Sequence, residues 1–180
     1  MRIVSGRLKG RRIIAPNHLP VRPTTDMAKE ALFNILNNKY FIEELKVLDL
    51  FAGIGSISFE FASRGCNDIT SVDAHHACIK FLENTSKVLE TELLTIKSDA
   101  FKFLERNSQK YDLIFADPPY DMEEEKFVKL IDLVFNRDLL NEDGVLIIEH
   151  GKNTDLSKHK RLTRQRKYGS NIFSFFDRED

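Results

Sequence analysis

Between Lys46 and Glu149 five short β-rich runs, VLDLF, ITSVD, LLTIKS, DLIFAD and GVLIIEH, alternate with helical patterns. This alternation constrains the fold most, because strands returned by intervening helices pair in parallel. Cys78, Phe81, Leu82, Thr85 and Leu89 recur at helical spacing, and Phe127, Leu130, Ile131, Val134 and Phe135 do so more clearly. Both sets mark crossover helices. LIFA and VLII are apolar without alternation, as central strands covered on both faces must be. The expectation is an α/β chain with a doubly wound, mostly parallel sheet. At 180 residues it has room for a single domain, 1–180, with 1–22 as a short appendage.

The flanks break the rhythm. Ala28, Ala31, Leu32, Ile35 and Leu36 mark one face of a helix, with Asp26 and Glu30 in its first turn, where the dipole favours acids. Upstream, Gly6, Gly10 and Pro16 punctuate a small β-hairpin. Beyond Lys158, RLTRQRKY and NIFSFF joined at Gly169, Ser170 and Asn171 predict an antiparallel hairpin closing the sheet edge.

The net charge is −1, yet the charges are sorted. Arg2, Arg7, Lys9, Arg11, Arg12 and Arg22 precede any acidic residue, and Lys158, Lys160, Arg161, Arg164, Arg166 and Lys167 cluster near the other end. Two such runs on one compact body can converge on one surface and bind a polyanion. The two cysteines, Cys66 and Cys78, have no metal-ligand spacing and the five histidines do not cluster with them, so neither a metal site nor a disulfide scaffold is expected. The longest apolar runs are four residues and the start lacks a signal-peptide stretch, so a cytoplasmic protein without membrane segments is expected.

Directly after the first strand, Asp49-Leu-Phe-Ala-Gly53-Ile-Gly55-Ser-Ile-Ser58 reads as a glycine turn into a helix, where open α/β sheets bind nucleotide-like ligands. The third glycine of the dinucleotide fingerprint is a serine. Asp73, Asp99 and Asp117 end the next three strands. Taken singly each aspartate also suits the N-cap of a following helix, Asp99 before AFKFL most of all. Together, four carboxylates around one crevice repel a pyrophosphate. S-adenosylmethionine, with its cationic sulfonium and ammonium and no phosphate, suits them better.

Asp117-Pro118-Pro119-Tyr120 follows the fourth strand. The prolines remove two donors and stiffen the loop, which then presents acceptors. Asp117 and the Pro118 carbonyl can accept both hydrogens of an exocyclic amine, and Tyr120 can stack on the ring that carries it. The alternative is a simple strand-terminating turn, which accounts for neither the acid nor the aromatic.

These motifs resemble those of class I S-adenosylmethionine-dependent methyltransferases acting on exocyclic amino groups. The stretch Arg2-Ile-Val-Ser-Gly-Arg-Leu-Lys-Gly-Arg-Arg12, then Arg22-Pro-Thr-Thr-Asp26-Met-Ala-Lys-Glu-Ala-Leu-Phe33-Asn, with Arg166-Lys-Tyr-Gly-Ser170 near the end, is similar to the RsmD family, bacterial methyltransferases of a guanine N2 in 16S ribosomal RNA. The resemblance implies a Rossmann-like, seven-stranded sheet with an N-terminal hairpin. It implies a guanine of the guanine-966 type as substrate, in a small-subunit assembly particle, for a monomeric enzyme without metal. It gives Asp49, Phe51, Gly53 and Gly55 to the cofactor, Asp73 to its ribose, Asp99 and Ala100 to its adenine, and Asp117, Pro118, Pro119 and Tyr120 to catalysis. Arg2, Arg7, Lys9, Arg11, Arg12, Arg22, Arg164, Arg166 and Lys167 are the candidate RNA contacts. Two departures stand out: His75 where relatives often carry a second acid, and Pro20-Val21 where they often carry Gly-Leu. An adenine-N6 or cytosine-N4 methyltransferase fits the same loop, and a non-catalytic RNA-binding assembly factor fits the same fold.

Overall fold

The computed structural model describes residues 1–178. The strands are β1 (Lys46–Leu50), β2 (Asp68–Asp73), β3 (Leu94–Lys97), β4 (Tyr111–Ala116), β5 (Leu140–Gly151), β6 (Leu162–Tyr168) and β7 (Asn171–Asp177). They form one sheet in the order β3-β2-β1-β4-β5-β7-β6. The first five pair in parallel, and β7 runs antiparallel to β5 and β6. The C-terminal hairpin therefore closes one edge, as its turn residues predict.

The helices are α1 (Asp26–Asn37), α2 (Ser56–Ser63), α3 (His76–Val88), α4 (Ala100–Arg106) and α5 (Glu124–Asn136). One sheet face packs Val47, Leu113, Ile147 and Phe173 against α1 and α2, where Phe33 meets Phe61 edge-on at 4.7 Å. The other packs Leu48, Ile114, Leu146 and Phe176 against α4 and α5. Both faces being covered explains the unbroken apolar runs in β4 and β5.

Strand order reverses between β1 and β4, so a crevice opens beyond their carboxyl ends. The register sets what faces it. Leu50 pairs with Val72 and Ala116, and Ala116 with Ile148, so Phe51, Asp73, Asp117 and Glu149 each stand one residue beyond the same row.

The N-terminal hairpin is small, as expected. It holds one antiparallel bridge, Arg2 with Arg12, and turns at Gly6 and Gly10, both at φ +84°. Side-chain packing replaces the missing ladder: Ile3, Leu8 and Ile13 sink among Phe59, Ile79 and Leu82. Beneath it, buried Glu60 accepts from Val4 N and Ser5 N at 3.0 Å and lies 3.5 Å from the fully buried Lys29 ammonium, which donates to the Arg2 carbonyl. β5 also begins earlier than its apolar run. Its register with β4 shifts between Tyr111 and Leu113, and a Cβ on Gly144 would lie 2.9 Å from the Asn141 carbonyl. No helix of the described residues is long and apolar enough to cross a membrane.

Candidate active site

A cleft of about 950 Å³ occupies the crevice. Its walls come from the turn after β1, the ends of β2 and β4, the start of α4 and the Pro20–Thr24 connector that leads into α1. Of the sequence candidates, Asp49, Phe51, Gly53, Asp73, Asp99, Ala100, Arg22 and the whole Asp117–Tyr120 loop line it.

Gly55 does not line it. At φ +81° it starts α2, and a Cβ there would lie 2.6 Å from Leu82 Cδ2 and 2.7 Å from Phe59 Cε2. The second glycine thus serves helix packing, whereas the family resemblance assigns it to the cofactor. Phe51 carries φ +58°, a conformation L-residues adopt rarely and functional turns often hold.

Asp73 ties the turn together. Its Oδ2 accepts from Gly53 N at 2.9 Å, while Oδ1 accepts from His75 N at 2.8 Å and lies 3.2 Å from His75 Nδ1. Asp73, His75 and Cys78 bring ligand-type atoms within 4.8 Å of one another, a grouping that the sequence spacing does not suggest. Burial pushes the Cys78 thiol up to about 11 and so keeps its proton on, and the Asp73 oxygens already serve the turn. Asp99 Oδ1 accepts from Lys102 N at 3.0 Å and so caps α4; the capping alternative holds for this aspartate, although the residue also faces the cleft.

The remaining acids are buried to different ends. Asp49 is 2% exposed and accepts from Ser58 Oγ at 2.6 Å. Burial raises its pKa to about 7, against the pull of Ser58 and with help from the Asp73 charge. Asp117 is held well above the ordinary carboxylate range by burial, then by its neighbours Glu149 and Asp49. Glu149 is a site residue that the sequence reading missed. Its Oε2 accepts from Thr24 Oγ1 at 2.9 Å and its Oε1 from Asn171 Nδ2 at 2.6 Å, and Tyr120 OH donates to Asn171 Oδ1 at 3.2 Å. The signal was there: the apolar run VLII of the fifth parallel strand leads straight into an acid, as LIFA of the fourth does. Ser56, at the start of α2, was missed too. Its buried Oγ has no partner among the described residues, and the residue lines the cleft.

The segment Arg22 to Asp26 is now accounted for almost residue by residue. The Arg22 guanidinium lies 5.6 Å over the Tyr120 ring. Thr24 binds Glu149, Thr25 caps α1 through Ala28 N at 3.3 Å, and Asp26 pairs with Arg2 at 3.0 Å.

The basic candidates divide. Arg7, exposed, donates its guanidinium to the carbonyls of Leu89 and Glu90 at the end of α3, the nearer at 2.7 Å, and so caps that helix end. Lys9, Arg11, Arg12, Arg164, Arg166 and Lys167 are exposed. α1 touches both basic runs, through the Arg2–Asp26 pair on one side and β6 on the other.

A profile of the family described as Conserved hypothetical protein 95 matches residues 1–177. YlbH of Bacillus subtilis strain 168 is 34% identical over 177 residues, covering 94% of each chain. The ribosomal RNA small subunit methyltransferase D of Buchnera aphidicola subsp. Acyrthosiphon pisum is 32% identical over 167 residues, 92% of this chain and 85% of that one. The solved structure of Escherichia coli yhhF superposes with a TM-score of 0.83 at 26% identity, over 99% of this chain and 98% of the other. The chain therefore belongs to the Conserved hypothetical protein 95 family, the family of the ribosomal RNA small subunit methyltransferases D.

Proposed function

We propose that this chain is an S-adenosylmethionine-dependent methyltransferase acting on the exocyclic N2 of a guanine in 16S ribosomal RNA, of the guanine-966 type. On this reading it works in the cytoplasm as a monomer, on a small-subunit assembly particle. One observation carries it: a proline-stiffened loop, Asp117-Pro118-Pro119-Tyr120, faces a cleft whose buried charges, Asp49 and Asp73, are carboxylates. The family names support ribosomal RNA as the substrate.

The cleft fits the cofactor. An orphaned buried hydroxyl on Ser56 at the start of α2 suits a carboxylate, Asp49 suits an ammonium, and Asp73 suits a pair of ribose hydroxyls. The cations lining the cleft, Arg22, Lys102, Lys126 and Lys129, are exposed and suit RNA phosphates. When bound, S-adenosylmethionine would supply an electrophilic methyl group on a sulfonium, whose S–C bond breaks on transfer to leave a neutral thioether. Asp117 and the Pro118 carbonyl accept the two amine hydrogens, which aims the nitrogen lone pair away from the guanine ring. Asp117, with its raised proton affinity, then takes the proton the amine gives up as its new N–C bond forms. Tyr120, 54% exposed, offers its ring to a base extruded from its stack.

Mass spectrometry of nucleosides from undermodified 16S RNA or small subunits, incubated with protein and methyl-labelled cofactor, tests the reading. Labelled N2-methylguanine is expected. N6-methyladenine or N4-methylcytosine alone would overturn the substrate, and no labelled nucleoside would overturn the activity.

A further inference from the structure

Tyr120 is held from three directions. Its hydroxyl binds Asn171 at the start of β7, its ring lies against Gly151 at the end of β5, where an added Cβ would sit 3.4 Å from Cδ1, and Arg22 of the connector lies over it. Those elements meet at Glu149. It is 2% exposed, and each carboxylate oxygen accepts one short hydrogen bond, from Asn171 and from Thr24. Asn171 is 7% exposed and Thr24 5%, so the chain Thr24–Glu149–Asn171 is shielded from water up to the Tyr120 hydroxyl. A buried carboxyl group with both oxygens satisfied holds its donors in one arrangement.

The geometry points to Glu149 as the positioning residue of the base platform: through Asn171 it fixes the Tyr120 ring, and through Thr24 it locks the Arg22-bearing connector beside that ring. Glu149 touches no reacting atom in this assignment. It orders the base through Tyr120, and its charge also raises the proton affinity of Asp117, an influence that Glu149→Gln removes while keeping the hydrogen bonds; the cofactor end of the cleft is left intact. The assignment rests on the proposed methyl transfer to a stacked base.

The test is single-turnover methylation at saturating RNA, with cofactor affinity measured in parallel by calorimetry. Glu149→Ala should lower the rate by about tenfold to a hundredfold, the scale of a misplaced reactant, with cofactor affinity unchanged within about twofold. Glu149→Gln should recover most of the lost rate, since its amide oxygen still accepts from Asn171 and the Thr24 hydroxyl can turn to accept from its NH2. In a Tyr120→Phe background, where the link to Asn171 is already cut, only the Thr24 link is left to lose, so Glu149→Ala should cost clearly less than it does in the wild type. Asn171→Ala cuts the Tyr120 link alone and should reproduce that part of the rate loss if Glu149→Ala does not fold. A full and additive loss in the Tyr120→Phe background, or a normal rate in folded Glu149→Ala or Asn171→Ala, would overturn the assignment while the wild type remains active. A wild type that methylates no RNA would overturn the parent reading with it.

Discussion

Asp73 accepts from two backbone N–H groups and still faces the cleft, so its removal has two consequences. Asp73→Ala should weaken cofactor binding by about 1.5–3 kcal/mol, the worth of a charged hydrogen bond. The Gly53 N–H loses its partner as well, so the melting temperature should fall too. Calorimetric titration and thermal melting of one sample separate the two effects, and unchanged affinity in a folded variant would remove Asp73 from the cofactor. Asp49 makes a prediction about pH. Its pKa rises from 3.8 to about 7 on folding, so between those values the native state holds a proton that the unfolded chain has released. Its contribution to stability therefore falls as pH rises through that window. Asp49→Asn should flatten this part of the melting-temperature profile without the cofactor. An ammonium beside Asp49 favours the ionised form, so cofactor affinity should increase as pH is raised through about 7. A pH-independent affinity would separate Asp49 from the ammonium.

At the scale of elements, the arm is clamped by the pair Lys29 and Glu60, both with fully buried side chains. Removing Lys29 leaves Glu60 paired with Arg64 but strands the Arg2 carbonyl and one counter-charge, so Lys29→Ala should destabilise the fold by about 1–3 kcal/mol, read by denaturant unfolding. The same clamp shows what the sequence could and could not disclose. The parallel sheet follows from βα alternation, and α3 and α5 from helical spacing, because each depends on many residues repeating one period. Single residues escape that averaging. Gly53 and Gly55 are the same letter in the same turn, yet one faces the cleft and the other Phe59 and Leu82. Arg7 looks like its neighbours in a basic run, and only the approach of α3 gives it carbonyls to cap. Glu149 hides after VLII because its partners, Thr24 and Asn171, lie far away along the chain.

Across the whole molecule, α1 stands between two basic runs, and the Asp117–Tyr120 loop opens beside the connector that starts α1. Charge reversal at Arg11, Arg12, Arg164 and Arg166 should flatten the salt dependence of RNA binding, each lost phosphate contact lowering the slope by roughly 0.7–0.9. Arg7→Glu should instead show up in thermal melting, because that guanidinium caps α3. An unchanged slope in the reversed variant would make the basic ends an ordinary solvated face. The central claim is that the cleft binds a cationic methyl donor at one end while Asp117 manages an amine at the other. Single-turnover methylation by Asp117→Ala, with its cofactor affinity measured alongside, tests that division most directly. A rate lower by about a hundredfold or more at nearly unchanged affinity is expected, the scale of one preorganised polar group; a normal rate would reduce Asp117-Pro118-Pro119-Tyr120 to a strand-ending turn and contradict the account.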